Sequence, residues 1–416
     1  MRIAFASYEY PFETGGGGIG VYLQTAVEWL KGQGHQIVVF TGTKNAQAFW
    51  ETNEVYRLPA NGWKEFNQIL ATYFVLEHRR LAFDVLECTD YEACGLSVKI
   101  ALPELPIVVR LHTPLYLVDK LLFQPLSPPQ KLRFCLGAFK RMKLPNLPSV
   151  PKAIDYTNEF SIIKAAEVVS SPSASITEEM RQLGFAVQGK TMLVPLPFDS
   201  APFQSIEARK EISASPHIVF IGRMETRKGV VELAKAIPAV IQLFPNTQFT
   251  FVGGASHSPV KGIDMQTFLQ QLLTSHRNSV HFTGRVSRET VMNYLSQGDI
   301  FVFPSHYESF GLACCEAMAS GKAVIGSRCG GMSEIIEEGV SGLLIKPKSV
   351  ETIAKAIVLL LHNNELRLRL GRAARERVRD YLSLPAVINK QLACYQQAIE
   401  KSKRLICNVS PIPDIT

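Results

Sequence analysis

Short apolar runs alternate with longer segments of helical spacing, and the alternation occurs twice along the chain. In the first half, Arg2 to Ser7 reads as a strand, and Gly20 to Gly32 places Val21, Leu23, Val27 and Leu30 at helical intervals. Gln36 to Thr41, Phe83 to Glu87 and Ile107 to Leu111 read as further strands. Strands that are apolar throughout, with no polar alternation, belong to sheets covered on both faces. The pattern therefore predicts a parallel sheet flanked by helices.

The second half restarts the same order. His217 to Gly222, Thr247 to Gly253, Val280 to Thr283, Ile300 to Pro304 and Ala323 to Gly326 read as strands. Helices are predicted over Val230 to Leu243, around Leu269 to Ser275 and over Gly311 to Met318. Pro195 to Pro216, rich in Pro, Ser and Ala, separates the two series and is the predicted linker. The fold class is α/β, with two Rossmann-like, doubly wound parallel sheets. Such sheets bind ligands at the carboxyl ends of their strands, so the two domains are expected to face a central cleft.

Composition narrows the picture further. A chain of 416 residues holds two or three domains at about 150 residues each. With 46% hydrophobic and 19% charged residues it is a folded globular chain rather than a disordered one. There is no secretory leader pattern and no apolar run of about 18 residues. Cys88, Cys94, Cys135, Cys314, Cys315, Cys329, Cys394 and Cys407 match no zinc or Cys-x-x-Cys spacing, so reduced thiols in the cytoplasm are expected. The net charge of +7 is too small for a nucleic-acid-binding tail but suits an anionic small ligand or a membrane surface.

Residues 115–152 depart from the alternation. Lys120, Lys131, Arg133, Lys140, Arg141, Lys143 and Lys152 stand against the single acid Asp119, interleaved with Leu121, Leu122, Phe123, Leu132, Phe134, Phe139 and Leu144. A basic amphipathic insertion of this kind can lie peripherally on the inner face of a membrane or hold an anionic acceptor. The simpler reading, and the one preferred here, is a helical cap over the cleft with a solvated charged face.

Three motifs carry candidate chemistry. Gly15-Gly16-Gly17-Gly18-Ile19-Gly20 follows the first strand and opens the first helix, where glycines let backbone N–H groups approach an anion. It satisfies the G-x-G-x-x-G pattern of dinucleotide sites. The second strand, however, ends Val39-Phe40-Thr41-Gly42-Thr43, without the acid that a nicotinamide dinucleotide site requires. Gly222-Arg223-Met224-Glu225-Thr226-Arg227-Lys228-Gly229 lies between a strand and a helix. There Arg223 offers a planar fork and Lys228 a compact cation for a diphosphate. In the third motif, Glu308 and Glu316 flank Phe310-Gly311-Leu312 at a helix start, where free N–H groups accept a phosphate and the carboxylates accept hydroxyls. Hydroxyls on either side of a diphosphate describe a sugar nucleotide.

These motifs resemble the retaining glycosyltransferases of the GT-B fold, family 4. The resemblance rests on the Gly-rich loop, the G-R-x-x-x-x-K-G run, the E-x7-E motif from Glu308 to Glu316, and the Gly-Gly loop Cys329-Gly330-Gly331-Met332-Ser333-Glu334. It implies an acceptor-binding domain over residues 1–200, a nucleotide-sugar-binding domain over 210–384, and a return helix in 385–416 that packs on the first domain. It also implies roles: Arg223 and Lys228 on the diphosphate, Glu308 on the donor sugar, and Glu316 on the ribose. Amides at Gly17, Gly18, Phe310, Gly311 and Leu312 would hold sugar and phosphates, and His112 in Arg110-Leu111-His112-Thr113-Pro114 would lie near the transferred sugar.

The implied activity moves a hexosyl group from a nucleoside-diphosphate sugar, UDP-glucose first and GDP-mannose second, to an unidentified acceptor hydroxyl with retention. The acceptor would be a sugar, a lipid-linked glycan or a small molecule. No Asp-x-Asp occurs, and the cations stand where a metal would act, so no metal and no cofactor are expected. Two other readings compete: a catalytically silent sugar-nucleotide-binding scaffold of the same fold, and an NAD-dependent enzyme. The Arg-rich stretch Leu366 to Arg379 reads as an exposed helix rather than a nucleic-acid surface.

Overall fold

The computed structural model describes residues 1–409 apart from 12, 15, 16, 124, 126, 127, 141, 143, 146, 148, 208 and 209. Gly15 and Gly16 of the Gly-rich loop, and Arg141 and Lys143 of the basic insertion, lie outside the described residues. Among the described residues the strands form two sheets. The first contains β1 (Arg2–Ala6), β2 (Gln36–Thr43), β3 (Phe49–Trp50), β4 (Val55–Pro59), β5 (Val85–Thr89), β6 (Ile107–Arg110), β7 (Val168–Ser171) and β8 (Thr191–Leu193). Its order is β3-β4-β2-β1-β5-β6-β7-β8, parallel except for the short β3. The second contains β9 (His217–Ile221), β10 (Gln248–Val252), β11 (Val280–Gly284), β12 (Ile300–Phe303), β13 (Ala323–Ser327) and β14 (Leu343–Ile345), in the order β11-β10-β9-β12-β13-β14.

Both sheets reverse their winding direction at one gap, between β1 and β5 in the first and between β9 and β12 in the second. A crevice opens at such a point because the flanking connections leave on opposite faces. The loops after β1, β5, β9 and β12 are thereby aimed at the same space. Strand interiors are buried on both sides, as the unbroken runs Ile3 to Ala6, Ile218 to Ile221 and Ile300 to Phe303 require.

Several elements not anticipated from sequence are half-polar or short, although the helix Val350–His362, which buries Ile353, Ala356, Ile357, Leu360 and Leu361, is neither. The helix Trp63–Leu81 buries only Phe66, Leu70 and Phe74, a narrow stripe at intervals of four on an otherwise polar cylinder. The strands β4, β7 and β8 each hold five residues or fewer. One expectation is corrected. The helix Asn364–Tyr381 exposes Arg369, Arg372 and Arg379, but Arg367 is buried. Arg375 Nε donates to the Ala319 carbonyl at 3.1 Å, and Arg377 Nη2 donates to the Glu334 carbonyl at 3.0 Å. Long guanidinium side chains lie along neighbouring apolar surface and end on backbone oxygens, so this face is an internal contact.

The helix Leu384–Val409 crosses back from the second domain to the first. Its Tyr395 hydroxyl donates to Glu87 Oε2 at 2.7 Å, and Tyr22 donates to the other oxygen of the same carboxylate. Gln391 Nε2 donates to both phenol oxygens, at 2.7 and 2.6 Å. All four side chains are buried, and burial raises the Glu87 carboxyl above its ordinary range. A second contact closes the opposite side. Glu334 accepts from the Ala174 and Ser175 N–H groups, at 3.0 and 2.8 Å, at the start of the helix Ala174–Gln182. A carboxylate at that position satisfies free donors and favours the helix dipole.

Tyr395→Phe removes a donor from a buried carboxylate without opening a cavity. It is expected to cost about 1–3 kcal/mol, read as a lower urea midpoint. An unchanged midpoint would mean that this network does not anchor the returning helix.

Candidate active site

The first motif enters the cleft through the loop after β1. Gly17 precedes the helix Gly18–Gly32 with no side chain capping it, so the first-turn N–H groups have no partner within the helix. A Cβ on Gly17 would stand 3.1 Å from Glu9 Oε2 and 3.9 Å from Arg223 Nη2, which leaves little room for any other residue. Glu9 thus faces Arg223 from the opposite domain. Burial raises its carboxyl, and the Arg223 charge partly opposes the rise.

The second and third motifs lock together. Gly229 has φ +69°, and a Cβ there would fall 1.9 Å from the Pro304 carbonyl oxygen, so only glycine lets the loop after β9 rest on the loop after β12. That approach lets Lys228 Nζ pair with Glu308. Burial works to raise the Glu308 carboxyl, but the charges of Lys228 and Arg227 and the Lys228 hydrogen bond hold it below the usual range. Gly330 and Gly331 lie against the same strand end. Cβ atoms there would fall 2.0 Å from the Glu308 oxygen and 2.4 Å from the Ser309 oxygen, and Gly331 N–H donates to the Glu308 carbonyl at 2.9 Å.

Gly311, at φ +112°, turns the chain into the helix Leu312–Ala319, which starts without a side-chain cap. Glu316 lies within this helix and pairs with Arg288, whose guanidinium stacks 5.2 Å from the Phe203 ring centroid. Burial raises the Glu316 carboxyl against the pull of Arg288.

From the first domain, His112 follows β6. Its N–H donates to Asp90 Oδ1 at 2.9 Å, and its ring meets Tyr22 edge-on at 5.3 Å. Burial, with Arg110 nearby, depresses the imidazole to about 3, so it is neutral at pH 7. Its Nε2 is buried and has no protein partner among the described residues. Asp90 Oδ2 is in the same condition, and burial pushes the Asp90 carboxyl up to about 8.

One cleft of about 520 Å³ gathers Gly17, Gly18, His112, Arg223, Lys228, Glu308, Phe310, Gly311, Leu312 and Glu316, the residues to which the resemblance gave a role. Glu9, Arg227 and Arg288 line it as well and were missed. Arg288 stands alone in a polar helix start, where no motif marks it. Glu9 and Asp90 follow the ends of β1 and β5, and their position beside a winding reversal was the one available signal.

Asp90 makes stability depend on pH. A carboxyl at about 8 in the folded chain and about 3.9 unfolded keeps a proton that the unfolded chain releases between those values. Stability therefore falls as pH rises through that window, by up to about 1.4 kcal/mol per pH unit, and levels above 8. Asp90→Asn keeps the oxygen that accepts the His112 N–H and removes the slope. It is expected to gain on the parent from pH 5 to 8 in urea-midpoint measurements, whereas parallel profiles would mean that Asp90 is ionised in the folded chain.

Comparison with known proteins agrees with this geometry. Residues 203–377 match the family described as glycosyl transferases group 1, and residues 17–197 match the glycosyl transferase 4-like domain. An uncharacterized glycosyltransferase of Methanocaldococcus jannaschii is 24% identical over 97% of this chain and all of its own length. The glycogen synthase of Mycobacterium tuberculosis is 28% identical over 53% of this chain, which spans about half (51%) of that relative. Among solved structures, the sucrose-phosphate synthase of Thermosynechococcus elongatus superposes with TM-score 0.74 at 21% identity, over 95% of this chain and 98% of its own. An Anabaena protein in complex with UDP-glucose superposes with TM-score 0.67 at 18% identity, over 94% and 99%. With two domain profiles that cover both sheets and a GT-B architecture, the chain belongs to the group 1 glycosyltransferases.

Proposed function

We propose that the chain is a retaining hexosyltransferase that takes its sugar from a nucleoside diphosphate, UDP-glucose first and GDP-mannose second, and passes it to an acceptor hydroxyl. The observation that carries this reading is the meeting of opposite chemistries in one cleft. Arg223 and Lys228 supply positive charge, Glu308 and Glu316 supply hydroxyl acceptors, and two uncapped helix starts face each other across it. The likeness to a protein solved with UDP-glucose supports the choice of donor.

Arg223 and Lys228 bind the diphosphate in this reading. Breaking the glycosidic bond leaves negative charge on the departing phosphate, and these cations with the Leu312–Ala319 helix start are already oriented toward it. Groups held in place before the charge develops need no reorganisation as it forms. The same cations replace a divalent metal, so the reaction is proposed to need none. Glu308 and the amides at Phe310, Gly311 and Leu312 hold the donor sugar, and Glu316 takes the ribose hydroxyls. His112, neutral and with a buried ring nitrogen that lacks a protein partner, receives a hydroxyl of the transferred sugar. Gly17 and Gly18 bring N–H groups to the same ligand from the other domain. The leaving phosphate itself accepts the acceptor's proton, so the reading assigns no covalent nucleophile, and domain closure limits hydrolysis.

Lys228→Ala is expected to lower kcat/KM by about 3 kcal/mol of transition-state stabilisation while the chain stays folded. Turnover is read as UDP release, and the configuration of the product is read by NMR. Near-parental turnover in the variant would remove the cation clamp. An inverted product would overturn retention, and strict dependence on an added divalent ion would overturn metal independence. UDP binding without transfer to any acceptor would favour a silent scaffold.

A further inference from the structure

The formal charge of the chain is +7, and residues 115–152 contain seven basic side chains and the single acid Asp119. The rest of the chain is nearly balanced, with 37 basic and 36 acidic side chains. Most of the net charge therefore resides in one insertion between β6 and β7.

The described residues of that insertion place apolar and basic groups together on the surface. In the helix Pro128–Phe139, Leu132, Leu136 and Phe139 recur at intervals of four and three, so they form one stripe. They are 64%, 56% and 62% exposed. Lys131 borders the stripe on one side and Arg133 and Lys140 on the other, all three exposed. Met142, Leu144 and Ile154 extend the exposed apolar surface. A solvated cap would turn such a stripe inward against the cleft. Here it faces solvent, and long basic side chains flank it as in helices that lie in a bilayer interface. Twelve residues are far too few to cross a bilayer, and no helix among the described residues is long and apolar enough to do so.

We propose that this insertion docks the chain on an anionic lipid bilayer, with Leu132, Leu136 and Phe139 in the interface and Lys131, Arg133 and Lys140 on the lipid phosphates. Charge complementarity selects an anionic partner, and the exposed apolar stripe selects a bilayer over a dissolved polyanion. The same insertion supplies Val118 and Leu122 to the wall of the cleft, so docking brings the cleft opening close to the lipid headgroups. The inference stands independently of donor and acceptor identity, because binding is measured without turnover.

The test is co-sedimentation of the full chain with two kinds of vesicle. One is pure phosphatidylcholine, and the other is an equal mixture of phosphatidylcholine and phosphatidylglycerol. The mixed vesicles are expected to bind the chain, less tightly as salt is raised, and the neutral ones to leave it in solution. Lys131→Glu/Arg133→Glu/Lys140→Glu is expected to lower partitioning roughly 100-fold, since each basic residue near an anionic surface contributes roughly fivefold. Leu132→Ser/Leu136→Ser/Phe139→Ser is expected to weaken it as well. Both variants alter exposed positions, and unchanged urea midpoints would show that they remain folded. No binding to mixed vesicles, or equal binding to both kinds, would overturn the proposal. Full binding by the serine variant would also overturn it and assign the surface to a soluble polyanion.

Discussion

The contact between the loops after β9 and β12 is the constraint on which the site depends. Gly229 rests on the Pro304 carbonyl with no space for a side chain, and Lys228 and Glu308 form their ion pair across that contact. The pair is partly sheltered, and the positive groups hold Glu308 ionised against its burial. A carboxylate and an ammonium are thus kept side by side in a space where either alone would be costly. Gly330 and Gly331 press on the same strand end from the other side and fix the direction in which Glu308 points. Three positions with no space for a side chain, Gly229, Gly330 and Gly331, therefore set the geometry of one charged pair.

The second domain would be half a site without the first. Glu9, Gly17 and His112 reach the same cleft because both sheets reverse their winding where they face each other. Two ties hold that arrangement: the buried Glu87 network on the returning helix, and Glu334 at the start of the helix Ala174–Gln182. The first is fully buried, which suits a permanent hinge. The second is partly exposed, which suits a contact that opens and closes.

Much of this was legible in the sequence. Continuous apolar runs identified the central strands because strands buried on both faces leave no other pattern. The motif residues were legible because glycine at a strand-to-helix turn, and a cation or carboxylate beside it, has few uses other than holding an anion or a hydroxyl. The narrow-striped helix Trp63–Leu81 was not legible, since three buried positions in nineteen give a weak period. Arg288 and Glu9 were missed because each is a lone charge whose meaning comes from a partner far away in sequence. The Arg-rich helix misled for the converse reason: its spacing looks solvated, and only the neighbouring carbonyls of Ala319 and Glu334 show which arginines turn inward.

The central claim is that the cleft is built for a nucleoside-diphosphate sugar. The most direct measurement is a thermal-unfolding panel with UDP, UDP-glucose, GDP, GDP-mannose and NADH. A ligand at about 100 times its Kd adds about 2.7 kcal/mol to stability. A marked shift with one nucleoside diphosphate and its sugar conjugate, and none with NADH, is the predicted result. A shift with NADH alone would contradict the account, and so would the absence of a shift with every nucleotide in the panel.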